Sequence, residues 1–159
     1  MTKVDVAGSV QAVNSLLHND IIWAAGVAWF VAQALKVMIA LITERKLNFR
    51  RFVGTGGMPS AHSAFVSALA AAVGIKTGWN STISAVALVL ALVVMYDAAG
   101  VRYAAGKQAE VLNRIIDDLY RGGAVQQGRL KELLGHTPKE VIVGAGLGII
   151  IARMVLWKL

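Results

Sequence analysis

Apolar residues along this chain come in long uninterrupted blocks, with polar residues gathered between them. A helix that crosses a bilayer needs about 20 mostly apolar residues, since ~30 Å of hydrocarbon is covered at about 1.5 Å each. Four blocks approach that requirement. Residues 21–42 are interrupted only by Gln33 and Lys36, and residues 61–75 are rich in Ala and Ser. Residues 82–96 form the third block, and residues 141–157, with Arg153 inside, form the fourth. The second block reaches only about 22 Å as a helix. It is expected to be buried among its neighbours or to start below the bilayer surface.

Small residues mark where such helices touch. Ser60, Ala64, Ala68 and Ala72 recur every four residues, and Gly144 with Gly148 makes a GxxxG. Both patterns let backbones approach closely, which drives packing where lipid removes the hydrophobic incentive. They serve equally for contacts within one chain or in a homodimer.

The long polar segment between the third and fourth blocks has its own pattern. Leu112, Ile115, Ile116 and Leu119 form an apolar stripe at helical spacing, opposite Glu110, Arg114, Asp117 and Asp118. The spacing predicts an amphipathic helix over about 103–121, ended by Gly122 and Gly123 and lying on the membrane surface or on the other helices. A short helix over 129–134 then leads to Gly135. No repeat or linker divides the chain. The expectation is a single all-α domain over 1–159, an integral membrane bundle of about four spans with a cytoplasmic amphipathic helix.

Composition supports the membrane and narrows the chemistry. Of the 159 residues 57% are hydrophobic and 16% charged, with a mean hydropathy of +0.62. Soluble domains run nearer 45–50% apolar and about 25% charged, and a chain this small cannot bury such an excess in one core. The absence of Cys removes disulfides, thiolate nucleophiles and Cys-based metal sites. With 16 basic against 9 acidic residues, the net charge is +7. No basic patch is interleaved with aromatics, so nucleic acid is not an expected partner. The N-terminus lacks the order of basic region, short apolar core and cleavage site that a signal peptide requires.

The basic residues orient the chain. Arg45, Lys46, Arg50 and Arg51 follow the first block. The segment 97–140 carries Arg102, Lys107, Arg114, Arg121, Arg129, Lys131 and Lys139. Four spans put both segments on one side, which the positive-inside rule assigns to the cytoplasm, with both termini outside.

That side also collects the groups able to do chemistry. Lys36 lies near the end of the first span, His62 opens the second, Asp97 closes the third, and His136 and Glu140 open the fourth. Ionisable groups in or beside spans are costly, and their gathering at one face, with Arg50, Arg51 and Arg102, defines a candidate site. The run Gly54-Thr55-Gly56-Gly57-Met58-Pro59-Ser60-Ala61-His62 enters a helix through a glycine-rich turn, a form that binds phosphate through backbone N–H groups. Pro59 and Ser60 equally serve to start and cap that helix. Thr137 and Glu140, flanking Pro138, form a capping box. His136 and Glu140 stand one helical turn apart, so the carboxylate also suits holding the imidazole. His18 is read as incidental. No spacing suggests a metal site, and no cofactor is expected.

The segments GGMPSAHSA, YDAAGVR and LGHTPKEV, with Lys36 upstream, resemble the divergent bacterial and plastid branch of the type 2 phosphatidic acid phosphatase superfamily, which also contains the vanadium haloperoxidases. The resemblance covers about 33–147. It implies that Pro59-Ser60-Ala61-His62 matches the Pro-Ser-Gly-His motif, with His62 protonating the leaving group. It further implies that His136 is the nucleophile, that Glu140 replaces the orienting Asp, and that Lys36 binds phosphate oxygens. The pattern departs from the wider family in several places. No Arg-Pro follows Lys36, so Arg45, Arg50 or Arg51 would substitute; Ala61 replaces Gly, Gly128 replaces Ser, and Arg129 lies one residue too far from His136. Asp97 and Arg102 are additional.

Together these observations predict a metal-independent, acid-phosphatase-like hydrolase acting on a lipid phosphate or pyrophosphate. Its catalytic residues would be His136, His62 and Glu140. Lys36, Arg50, Arg51, Gly57, Ser60, Asp97 and Arg102 would bind phosphate. A membrane protein that binds or transports phosphate-bearing headgroups without catalysis is the alternative, and a purely structural membrane protein a third.

Overall fold

The computed structural model describes residues 6–44, 57–119 and 135–157, and every regular element among them is a helix. In chain order these are α1 (Val6–Leu17), α2 (Asp20–Glu44), α3 (Ala61–Thr77), α4 (Thr82–Ala99), α5 (Val101–Leu119) and α6 (Pro138–Trp157). The expected helix over 129–134 lies outside the described residues, as do Arg45, Arg50, Arg51, Gly128 and Arg129.

Three stretches are long and apolar enough to cross a membrane: Asp20–Ile42, Thr82–Ile116 (α4 and most of α5) and Pro138–Trp157. The chain is an integral membrane protein by this measure. The shorter apolar helix α3 is wrapped by the others. Its buried residues include Ala61, Ala64, Ala68 and Ala72 on one side and Val66, Ala70 and Val73 on another. A helix lined with alanine on several faces admits neighbours on all of them, because no side chain holds them off. Its limited reach therefore goes with a position inside protein.

Each neighbour meets α3 through small residues. From α2, Ala24 and Ala28 join Ala68, Ala71 and Ala72, together with Ile151 and Ala152 of α6. One turn nearer the other end, Ala32 packs with Ala61, Ala64 and Leu147. From α4, Ala87 and Ala91 pack on Val66, Ala70 and Val73. The opposite face of α4, with Val86, Val89, Leu92 and Val93, points outward, a surface suited to lipid and not to water.

The tightest contact is between α6 and α3. A Cβ at Gly144 would collide with the carbonyl oxygen of Ser60, and one at Gly148 with that of Ala64. The GxxxG is thus used within the chain. At the far end of the bundle Lys76 of α3 pairs with Asp20 of α2 at 2.6 Å, so the two helices run antiparallel.

Two elements differ from the sequence expectation or refine it. The N-terminal region, expected as a tail, contains α1, whose Val6, Val10, Val13 and Leu17 follow helical spacing. It stops at His18, whose Nδ1 bonds the Asn14 carbonyl, before Asn19 Oδ1 accepts from Ile21 N at 3.0 Å to start α2. In α5 the stripe residues Leu112 and Ile115 face away from the bundle, as does Val111, while Gly106 and Asn113 turn inward.

The α3–α6 contact yields a direct test. Gly148→Val should destabilise the protein by about 3 kcal/mol, at the upper end of overpacking penalties because backbone has to move. Gly146→Ala, whose added Cβ meets nothing within 4 Å, should leave the melting temperature unchanged or higher. Thermal unfolding of both variants in detergent checks this; equal melting temperatures would refute the contact.

Candidate active site

Four helix ends meet at one end of the bundle: the C-terminal halves of α2 and α4 and the N-termini of α3 and α6. Two backbone hydrogen bonds set their relative positions. His136 N donates to the Ala98 carbonyl at 3.1 Å, supplying a partner to a carbonyl at the end of α4. Ser60 N donates to the Glu140 carbonyl at 3.1 Å, joining the start of α3 to the first turn of α6.

On that frame Glu140 does two things at once. Its Oε2 accepts from Thr137 N at 3.1 Å while Glu140 N donates to Thr137 Oγ1 at 3.4 Å, completing the capping box. The same oxygen lies 3.1 Å from His136 Nδ1. A carboxylate only accepts hydrogen bonds, so the Nδ1 site carries the proton and Nε2 is the unprotonated nitrogen of the neutral ring. His136 is only 3% exposed. His62, exposed in the first turn of α3, places its ring centroid 6.1 Å from that of His136 with the planes at 62°.

Lys36 approaches from α2. It is 4% exposed, and its ammonium is within electrostatic range of Glu140. Its aliphatic stem runs past Gly57, where a Cβ would stand 3.4 Å from Lys36 Cγ. Gly57 has φ +86°, a conformation that L side chains rarely adopt. The N-terminal, positive ends of two helices at the same place add to an environment suited to an anion.

The other sequence candidates are placed as follows. Ser60 is fully buried, its Oγ accepting from Ser63 N at 3.3 Å and from Ser63 Oγ at 3.0 Å. It caps α3, and its hydroxyl is closed off from the surface. Asp97 is half-buried one residue before Ala98. Arg102 stands in the first turn of α5, described only by its backbone, and Arg50 and Arg51 lie outside the described residues. The structure therefore brings together His136, Glu140, His62, Lys36 and Gly57. The Ala98 carbonyl and Ser63, as partner of the expected Ser60 cap, were not part of the sequence reading. The Ala98 carbonyl carries no sequence signal, whereas the Ser60–Ser63 pair was visible in its three-residue spacing after Pro59.

A helical membrane bundle with a buried histidine–carboxylate pair, a second histidine and a buried lysine at the meeting of four helix ends is the class that fold and site define. The family model described as "Divergent PAP2 family" matches residues 17–151, and the chain belongs to that family. It is 39% identical over 153 residues to the "Uncharacterized membrane protein YuiD" of Bacillus subtilis (strain 168), covering 89% of this chain and 97% of that one. No solved structure matches the chain.

Gly57→Ala should cost about 1–2 kcal/mol, the usual penalty for an L side chain held at positive φ. Gly57→Asn should cost less, since Asn tolerates that region better. Chemical or thermal unfolding in detergent gives the comparison; an alanine variant as stable as wild type would contradict the backbone conformation.

Proposed function

We propose that this protein is a phosphatase-like membrane hydrolase acting on a lipid phosphate or pyrophosphate through a phosphohistidine intermediate, without a metal. The observation that carries the proposal is the His136–Glu140 hydrogen bond with the His62 ring 6.1 Å away. Nucleophilic attack needs about 3–3.5 Å between reacting atoms, and proton donation about 2.6–3.2 Å more. The two rings are near enough for both to serve one phosphoryl group bound against their edges.

In the first step His136 Nε2 attacks phosphorus as the bond to the leaving oxygen breaks, and His62 gives its proton to that oxygen. Glu140 keeps the His136 proton at Nδ1 and stabilises the ring as it gains charge. In the second step water attacks the phosphohistidine and His62 takes the water's proton. Phosphate leaves and His136 is restored. Lys36, helped by an arginine of the basic segments, stabilises charge on the phosphoryl oxygens. Ser60, buried as a cap, supports α3 and does not touch the phosphate in this scheme.

The site's level in the membrane favours amphiphilic substrates. The charge asymmetry supports a site at the cytoplasmic face, in a bacterial inner membrane. Membrane lipids surround it; the small-residue faces expected to serve a homodimer are occupied within the bundle.

Purified protein with EDTA present should release phosphate from one or more members of a panel of lipid phosphates and pyrophosphates. His136→Ala should reduce release by 10³-fold or more, on the order expected for a lost nucleophile. His62→Ala should cost about 10²–10⁴-fold. Release unchanged in His136→Ala would refute the phosphohistidine. Phosphate or vanadate binding with no release from any substrate would favour the non-catalytic binding protein.

Orientation is checked separately, because the chain has no Cys and single-cysteine variants carry no background. Asn80→Cys should react with a membrane-impermeant maleimide on intact cells, and Lys139→Cys only after permeabilisation. The reverse pattern would place the site outside.

A further inference from the structure

Gln33 lies on α2, three residues before Lys36, about 60° around the helix and roughly 4.5 Å along its axis. Both side chains turn into the bundle: Gln33 is 6% exposed, while Phe30 and Met38 nearby face outward. Among the described residues, Gln33 Oε1 is the buried side-chain oxygen or nitrogen that has no hydrogen-bond partner. Its neighbour Ala32 packs on Ala61, Ala64 and Leu147, none of which offers a side-chain donor. A buried acceptor without a donor is destabilising, and more so where lipid surrounds the fold. A leucine there would fill the space without that cost.

The position suggests what supplies the donor. Lys36 stands at the level of Gly57 and Glu140, and Gln33 stands one turn deeper in the membrane. A lipid whose phosphate lies against Lys36 presents its linker carbons to the next turn below, since the polar headgroup region is several ångströms thick.

We propose that Gln33 is a specificity-determining residue of the site, its carboxamide oxygen accepting a hydrogen bond from a hydroxyl that the lipid substrate carries next to its phosphate ester. This rests on the phosphate-site reading above. Lys36 and the histidines engage the phosphate, which all candidate substrates share. Gln33 engages the group that distinguishes a glycerol-based phosphate with a free hydroxyl from a plain alkyl or polyprenyl phosphate. A site built around a hydroxyl discriminates against ligands lacking it, because the buried acceptor is then left unpaired.

The test uses the full chain in lipid nanodiscs with two probes, a lysophosphatidate bearing a free glycerol hydroxyl and its deoxy analogue of equal chain length. Binding is measured by native mass spectrometry and hydrolysis by phosphate release. Wild type should prefer the hydroxyl-bearing lipid about tenfold or more, on the scale of one hydrogen bond. Gln33→Leu and Gln33→Met should both bring that ratio close to one while the deoxy lipid binds as before. Their melting temperatures without ligand should equal or exceed that of wild type. The Met variant, flexible and similar in length, serves if Leu does not fold.

A binding preference lost in both variants supports the proposal even if nothing is hydrolysed, in which case the catalytic reading alone fails. Hydrolysis by wild type with the same preference in all three proteins overturns the Gln33 assignment and leaves the catalytic reading standing. Equal losses for both lipids would overturn the assignment in favour of a structural role.

Discussion

The backbone approach of α6 to α3 places almost everything else at the site. Gly144 and Gly148 lie against the carbonyls of Ser60 and Ala64 with no space for a Cβ. That contact brings the first turn of α6 beside the start of α3, where Ser60 N reaches the Glu140 carbonyl. The register so fixed puts His136 and Glu140 opposite His62. In a bilayer the gain from such contact is dispersion between closely packed atoms, because lipid is as apolar as the side chains it replaces. Small residues are therefore the structural cement, and alanine and glycine dominate the interior.

The same packing holds an expensive set of polar groups. Lys36, His136 and Gln33 are nearly inaccessible, and Glu140 is half-buried beside them. Each would be unfavourable alone in a low-dielectric interior. Glu140 relieves part of the cost by serving the cap, the imidazole and, electrostatically, Lys36. The positive ends of α3 and α6 favour negative charge at the same place. A bound phosphate would complete this arrangement, which is why the geometry and the proposed chemistry point the same way.

Around this core the outer surface is matched to lipid. The outward faces of α4 and the Val111–Leu112–Ile115 side of α5 are apolar, whereas Gly106 and Asn113 of α5 turn inward. On α5 the ion pairs of Glu110 with Lys107, at 2.9 Å, and with Arg114 are exposed, and add little stability of their own.

Much of this was legible in the sequence because it is local. Blocks of apolar residues define helices and their membrane reach, and Thr137, Glu140 and His136 interact through spacings of three and four that a single helix dictates. The gathering of Lys36, His62, Asp97, His136 and Glu140 at one face follows from counting crossings. What sequence alone left open depends on how each helix is rotated about its axis. In water, apolar periodicity reveals that rotation; in a membrane the lipid-facing and protein-facing sides are both apolar, so the signal is weak. Only the tertiary structure decided that the GxxxG of α6 is used on α3, that Ser60 is sealed as a cap, and that the Ala98 carbonyl holds His136. The orphan oxygen of Gln33 belongs with these, since a missing partner becomes visible only once the surrounding helices are in place.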